Sequence, residues 1–379
     1  AELLVPDNHN GDLNQRTVML SPDYFNEGTA TKVLLKHFGS TTLTPFGCAR
    51  LPLSIRACGA LLSYLKDTRK EALQQLDSLH TYTTNRYMAL DYQTRRNLEL
   101  FEGGRFGDGL SLLKALDLTK TPMGGRMLRR WLGQPLLNIN EIQLRLDSVN
   151  WLYATKTCRE KLLKILVSVS DPERLLNRIR SGSASPRDVG ALRQSLEAVP
   201  KVREILMLGG PSVSWLLEIM PPCPEVVKAI KKALIDDPVA SLGEGEIIRK
   251  GYSPRFDRLR ASSNSIKNTI ARLQAQERER TGIPSLKVGY TRVFGYYLEV
   301  TNSNLNKVPA DYIRRQSLSN AERFITPELK EYESEILLAQ QRLEQLEVEL
   351  FSDLCQQISR SSNLILGVAQ ALAQTDVFA

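Results

Sequence analysis

Apolar residues recur at three- and four-residue spacing from about Leu53 to Ala240, the pattern of amphipathic helices packed against one another. The interruptions carry start and stop chemistry. Thr121-Pro122, Asp171-Pro172 and Ser185-Pro186 each place a capping side chain before a proline at the first helical position. Pro200, Pro221 to Pro224 and Pro238 are expected to end segments. Two longer helices follow. The first is predicted from the Ser253-Pro254 cap to a stop at Gly282, with Phe256, Leu259, Ile266, Ile270 and Leu273 along one face. The second opens at Thr326, Pro327 and Glu328, and its stripe runs through Ile336, Leu343, Leu346, Leu350, Leu354 and Ile358. If it continues towards Leu372 it measures roughly 65 Å.

Between these helices the period changes from 3.6 to 2. Leu286 to Thr301 is rich in β-branched and aromatic residues, with a polar turn around Thr291-Arg292, which predicts an antiparallel hairpin. Tyr296, Leu298 and Val300 would face one way, and Tyr297, Glu299 and Thr301 the other. The first fifty residues hold a short apolar stretch, Thr17 to Leu20, and a helical pattern from Ala30 to Phe38. They read as the end of an α/β unit with too few strands for a sheet of its own. The fold class predicted is mainly α: a multi-helix core with two long helices, a small β-containing insert between them, and a partial α/β unit in front.

At 379 residues the chain should form two or three units. No apolar run approaches the ~20 residues of a membrane span, and no signal peptide opens it, so a cytosolic protein is the default. It begins at Ala1, and a segment upstream is expected to have been cut away. The five cysteines have neither metal nor redox spacing and read as reduced thiols. Net charge is +8, but its placement says more. Residues 249–326 hold fifteen Lys and Arg against six Asp and Glu, an excess of nine, so the rest of the chain is at −1. A basic excess confined to one segment of a neutral scaffold is the electrostatic footprint of a polyanion-binding module.

Lys287, Arg292 and Lys307 flank the hairpin, and Tyr312 to Arg323 adds Arg314, Arg315, Gln316, Asn320 and Arg323. Guanidinium, ammonium and small polar groups in such a mixture suit phosphate oxygens. The alternating run Gln276 to Arg280 reads instead as surface ion pairs. Met123-Gly124-Gly125-Arg126 lies at a helix start, where amides can hold an anion, but the glycine pair reads better as close helix packing. No G-x-x-x-x-G-K-[ST] occurs, and neither a two-metal acidic set nor a nucleophile motif is visible. Catalysis is not expected of this chain, and neither a cofactor nor a metal.

Several long strings then resemble the MutS family of DNA mismatch repair proteins: Asp91 to Leu100 (DYQTRRNLEL), Leu116 to Leu136 (LDLTKTPMGGRMLRRWLGQPL), Asp171 to Leu192, Glu277 to Val300 and Tyr312 to Tyr332. The likeness runs from about His37 to the C-terminus and is weaker before it. It implies a connector end (1–70), a helical core with levers (71–265 and 336–379) and a clamp between the lever helices (266–335). It implies a clamp gripping duplex, mismatched DNA without sequence preference through Arg314, Arg315, Gln316 and Asn320, supported by Lys287, Arg292 and Arg323. Many relatives carry Lys where this chain has Ser319. Full-length relatives bind ATP and Mg, work as homodimers and engage a MutL-type partner. They read mismatches through a Phe-x-Glu motif, which Phe25-Asn26-Glu27 matches without the surrounding domain. Two other readings stay open: a MutS homologue acting on recombination intermediates, and a helical scaffold docking acidic protein partners.

Overall fold

The computed structural model describes all residues except 1, 9–15, 70–72, 74–75, 77–78, 80, 82–85, 104–108, 244–245 and 292–294. In chain order the elements are β1 (Leu3–Pro6), β2 (Thr17–Leu20), α1 (Glu27–Phe38), α2 (Pro52–Thr68), α3 (Tyr92–Asn97), α4 (Leu112–Leu116), α5 (Pro122–Gly133), α6 (Ile139–Ala154), α7 (Lys156–Leu166), α8 (Pro172–Arg180) and α9 (Pro186–Met207). There follow α10 (Ser214–Glu218), α11 (Pro224–Ala233), α12 (Pro254–Thr281), β3 (Lys287–Thr291), β4 (Gly295–Thr301), β5 (Ile313–Ser317), β6 (Ala321–Ile325), α13 (Pro327–Ser359) and α14 (Ser362–Phe378). The chain is mainly helical with one small antiparallel sheet, as the period changes predicted. It divides into two compact units, one of residues 1–184, 191–227 and 355–379, the other of residues 185–190 and 228–354. No helix among the described residues is long and apolar enough to cross a membrane.

In the first unit, β1 and β2 pair in parallel with Leu3 opposite Thr17, and α1 and α2 close over Ala30, Leu34, Leu43, Ile55 and Leu62. The Asn26 carboxamide caps α1 by accepting from the Gly28 and Thr29 N–H groups. The Phe25-Asn26-Glu27 triplet is therefore a helix start. The caps expected further on are in place: Asp171 accepts from the Arg174 N–H, and Thr121 from that of Gly124. Ser185 and Asp188 exchange reciprocal bonds at the start of α9.

Two expectations fail for identifiable reasons. Pro200 lies inside α9 rather than ending it. Its ring removes one ladder bond, but Leu196, Val199, Val202 and Leu206 around it are fully buried, and that packing keeps the helix running. The second long helix also does not reach Leu372. It ends at Ser359, and α14 begins at Ser362. The Ser359 hydroxyl donates to the Cys355 carbonyl and that of Ser362 to the Ser359 carbonyl, while the Ser361 N–H tightens onto Ile358. A serine cluster of this kind competes with the backbone ladder. At 33 residues α13 spans roughly 50 Å.

Met123-Gly124-Gly125 is a packing device, as its sequence suggested. The buried Asp376 carboxylate of α14 accepts from the Lys120 N–H at 2.9 Å, the Thr121 N–H at 2.8 Å and the Thr121 hydroxyl at 2.6 Å. A Cβ on Gly124 would collide with that carboxylate, whereas one on Gly125 would meet Asp117 no closer than 3.3 Å. Gly124→Ala should therefore destabilise the protein by about 1–3 kcal/mol, and Gly125→Ala should stay within about 1 kcal/mol of wild type. Urea unfolding of the two variants side by side tests this; equal losses would contradict the close approach.

Candidate nucleic-acid interface

In the second unit α12 begins at Ser253, whose hydroxyl accepts from the Phe256 N–H, and stops at Gly282, which takes the left-handed conformation at φ 63°. α13 begins at Thr326, whose hydroxyl accepts from the Leu329 N–H. Between them four strands form an antiparallel sheet in the order β3-β4-β6-β5. One face is apolar. Leu298, Val300 and Phe324 pack with Ile283, Leu286 and Tyr312 onto Leu273 near the end of α12 and Leu329 at the start of α13. Tyr296 joins this core, and Tyr290, about half exposed, leans on it at 5.0 Å between ring centres. Leu298, Val300 and Tyr296 share a face as the alternation predicted. The second hairpin, β5 and β6, was not foreseen.

The opposite face carries one continuous row. Lys287 stands opposite Glu299, Glu299 opposite Arg323, and Arg323 opposite Gln316. The Arg323 guanidinium lies 3.1 Å from the Glu299 carboxylate, donates to the Gln316 carboxamide at 2.9 Å, and stacks 4.2 Å above the Tyr297 ring. Lys287 is exposed and makes no ion pair among the described residues. Three of the predicted residues are thus brought together here.

The others are placed differently. A β-bulge separates Arg314 from Gln316, so Arg315 is the extra residue, exposed and without an ion pair among the described residues. A bulge on an edge strand re-aims side chains in this way. Arg314 falls opposite Phe324, off the row, where it meets the buried Glu322 carboxylate at 2.6 Å and donates to the Ser317 hydroxyl. Asn320 sits exposed in the β5–β6 turn, its carbonyl accepting from the Asn302 N–H. Arg292 lies outside the described residues.

Beside the sheet, Arg280 pairs with Glu277 at 2.8 Å and Asp311 at 3.1 Å, but Glu277 is buried and Arg278 donates to the Leu286 carbonyl, so the alternating run is not the row of surface ion pairs expected. Tyr312 donates to the same buried Glu277 at 2.6 Å. Burial and this carboxylate push the Tyr312 phenol far above its ordinary range. Sequence reasoning missed Glu299 and Glu322 as arginine partners and Tyr297 as the surface beneath Arg323. Alternation through Ala321 to Ile325 could have found Arg323, because it puts Glu322 and Phe324 on one side and Arg323 on the other. Among the described residues no group of three or more His, Cys, Asp or Glu could hold a metal ion.

Family models for two domains match this chain: MutS domain III over residues 93–379 and MutS domain II over residues 1–77. The DNA mismatch repair protein MutS of Dehalococcoides mccartyi strain 195 is 44% identical over 357 residues, covering 93% of this chain and 42% of the relative. That of Thermosynechococcus vestitus is 44% identical over 358 residues, covering 94% and 41%. The protein of the same name from Methanosarcina acetivorans is 41% identical over 378 residues, covering 97% and 42%. The chain spans about two fifths of the length of these curated relatives.

Replacing Tyr312 by Phe leaves Glu277 with one donor fewer and should cost about 1–3 kcal/mol at pH 8. A phenol whose folded pKa is raised contributes stability that is complete below the unfolded pKa near 10 and is lost as pH rises beyond it. The gap between wild type and Tyr312→Phe should therefore narrow above pH 10 in urea unfolding; a gap that widens with pH would contradict the assigned bond.

Proposed function

The chain belongs to the MutS family, and on that premise we propose that it serves DNA mismatch repair by gripping the sugar-phosphate backbone of duplex DNA with its four-stranded sheet. One observation carries this reading: the whole positive excess of the chain falls in residues 249–326, which contain that sheet. Phosphate contacts call for cations and small hydrogen-bonding groups and for no particular base. Lys287 and Arg315 offer exposed cations, and Gln316 and Asn320 offer amides. Arg323 adds a guanidinium held ready by Glu299 and Tyr297, and Arg314 adds one partly turned to Glu322. Arg292 takes its place in the set from the family resemblance.

In this reading residues 266–335 are the clamp, 71–265 with 336–379 the core and levers, and 1–70 the end of the connector. The two long helices would pass the nucleotide state of an ATPase elsewhere in the full-length protein to the clamp by rigid-body movement. ATP with Mg, a second subunit and a MutL-type partner belong to that full-length protein. A single clamp lacks the avidity of two closing around one duplex, so this chain alone should bind weakly.

Anisotropy titration of a labelled duplex should give a steep linear fall of log affinity with log salt. Arg315→Ala and Lys287→Ala should each lower the slope by about 0.9 and leave the unfolding midpoint unchanged. Arg314→Ala should in addition destabilise the protein, because it strands the buried Glu322 carboxylate. Absent or salt-insensitive duplex binding would overturn the proposal in favour of a scaffold docking acidic proteins.

A further inference from the structure

A cavity of about 400 Å³ opens in the first unit between α5, α6, α10 and α14, remote in sequence from the sheet and unused by the proposal above. Its apolar walls are Trp131, Trp215, Leu144 and Ile219. The Trp215 ring is held by its N–H, which donates to the Ser148 hydroxyl at 3.3 Å, and both indoles pack on Phe378. Flat, fixed aromatic walls of this kind suit a planar ligand.

The polar groups are less content. Arg145 stacks 3.6 Å over the Trp131 ring, and its guanidinium makes no hydrogen bond or ion pair among the described residues. Burial pushes its pKa down; the nearby Glu141 and Tyr87 work against this, and the charges of Arg86 and Arg130 add to it. Among the described residues Arg130 donates to the Met127 sulfur and to no oxygen. Among the described residues the one carboxylate lining the cavity, Glu141, is bound by Arg86 at 2.7 Å. Gln374 is 6% exposed, and its carbonyl oxygen has no hydrogen-bond partner among the described residues. A half-buried guanidinium with idle donors and a buried acceptor with no donor are both costly unless something satisfies them.

These groups specify the chemistry of a ligand that would fit them. Three guanidiniums against one carboxylate leave two positive charges, which match a phosphate monoester at neutral pH and would be only half met by a simple carboxylate. The aromatic walls suit the π-face of a base, a contact worth about 1–3 kcal/mol. The orphaned Gln374 oxygen asks for an N–H donor, which an amino-substituted heterocycle carries. We infer that this cavity is a binding site for a nucleoside monophosphate, with phosphate on Arg130 and Arg145, the base against Trp215, and its amino edge towards Gln374.

The test uses the intact 379-residue chain and AMP, adenosine and inorganic phosphate as probes, read by tryptophan fluorescence and titration calorimetry. AMP should quench the fluorescence and bind at least about tenfold more tightly than adenosine or phosphate alone. Arg145→Gln should weaken AMP by about tenfold or more, and Arg130→Gln, at a more exposed position that spares the core, should do the same. Trp215→Leu should bring AMP down to the affinity of phosphate. No heat and no quench with millimolar AMP, or unchanged AMP affinity in both arginine variants, would overturn the assignment.

Discussion

The burial of one sheet face against the ends of α12 and α13 sets everything that the second unit can present to a partner. Leu298, Val300 and Phe324 are almost wholly withdrawn from water with Leu273, Ile283, Leu286 and Leu329, and apolar burial of this kind is the main favourable contribution to such a fold. Because side chains alternate along a strand, fixing the apolar parity also fixes the polar one. The row from Lys287 to Gln316 faces away from the core as a consequence of where Leu298 and Phe324 must go. A slip of one residue in β4 or β6 would bury Glu299 and Arg323 and expose the leucine and phenylalanine. The charge on this surface is therefore held in register by hydrophobic contact.

Electrostatics then distinguishes arginines that look alike in sequence. The Arg323–Glu299 pair is partly open to solvent, and pairs of that kind contribute roughly 0–1 kcal/mol, so a phosphate can compete for the guanidinium at little cost. The Arg314–Glu322 pair involves a glutamate whose side chain is only 12% exposed, and a buried charge of that kind depends on its partner. Arg314 consequently has a structural duty that Arg315, one residue along and lifted out by the bulge, does not. Neighbouring cations in one motif divide between holding the sheet and offering charge.

Much of this was legible before any coordinates. Caps at Thr121, Asp171, Ser185, Ser253 and Thr326 and the stop at Gly282 declare themselves through side-chain chemistry that acts within one turn, so helix boundaries followed from local sequence. The alternation of Leu298 and Val300 with Tyr297 and Glu299 gave the two faces of β4. What escaped depends on contacts remote in sequence. Pro200 stays helical because buried neighbours outweigh a local rule, and β5, with Ile313 half exposed on an edge, lacks the apolar run that marks a central strand. The carboxylate partners of Arg314 and Arg323 were hidden for the same reason, since the pairing of β5 and β4 with β6 is what brings them together.

The first unit holds two places of positive polarity that differ in how far the fold itself satisfies their polar groups. The start of α5 has the amides and the glycine pair of an anion site, but Asp376 already accepts from two backbone N–H groups and the Thr121 hydroxyl there. Its hydrogen-bonding capacity is spent inside the fold, and Gly124 is small so that this carboxylate can approach. In the neighbouring cavity the balance runs the other way: among the described residues neither the Arg145 guanidinium, stacked on Trp131, nor the Gln374 oxygen has a hydrogen-bond partner. Both places combine positive polarity with helix surfaces, so charge alone does not separate them. The separating quantity is how many buried donors and acceptors remain unsatisfied once the protein has folded, because only those retain free energy that a ligand can release.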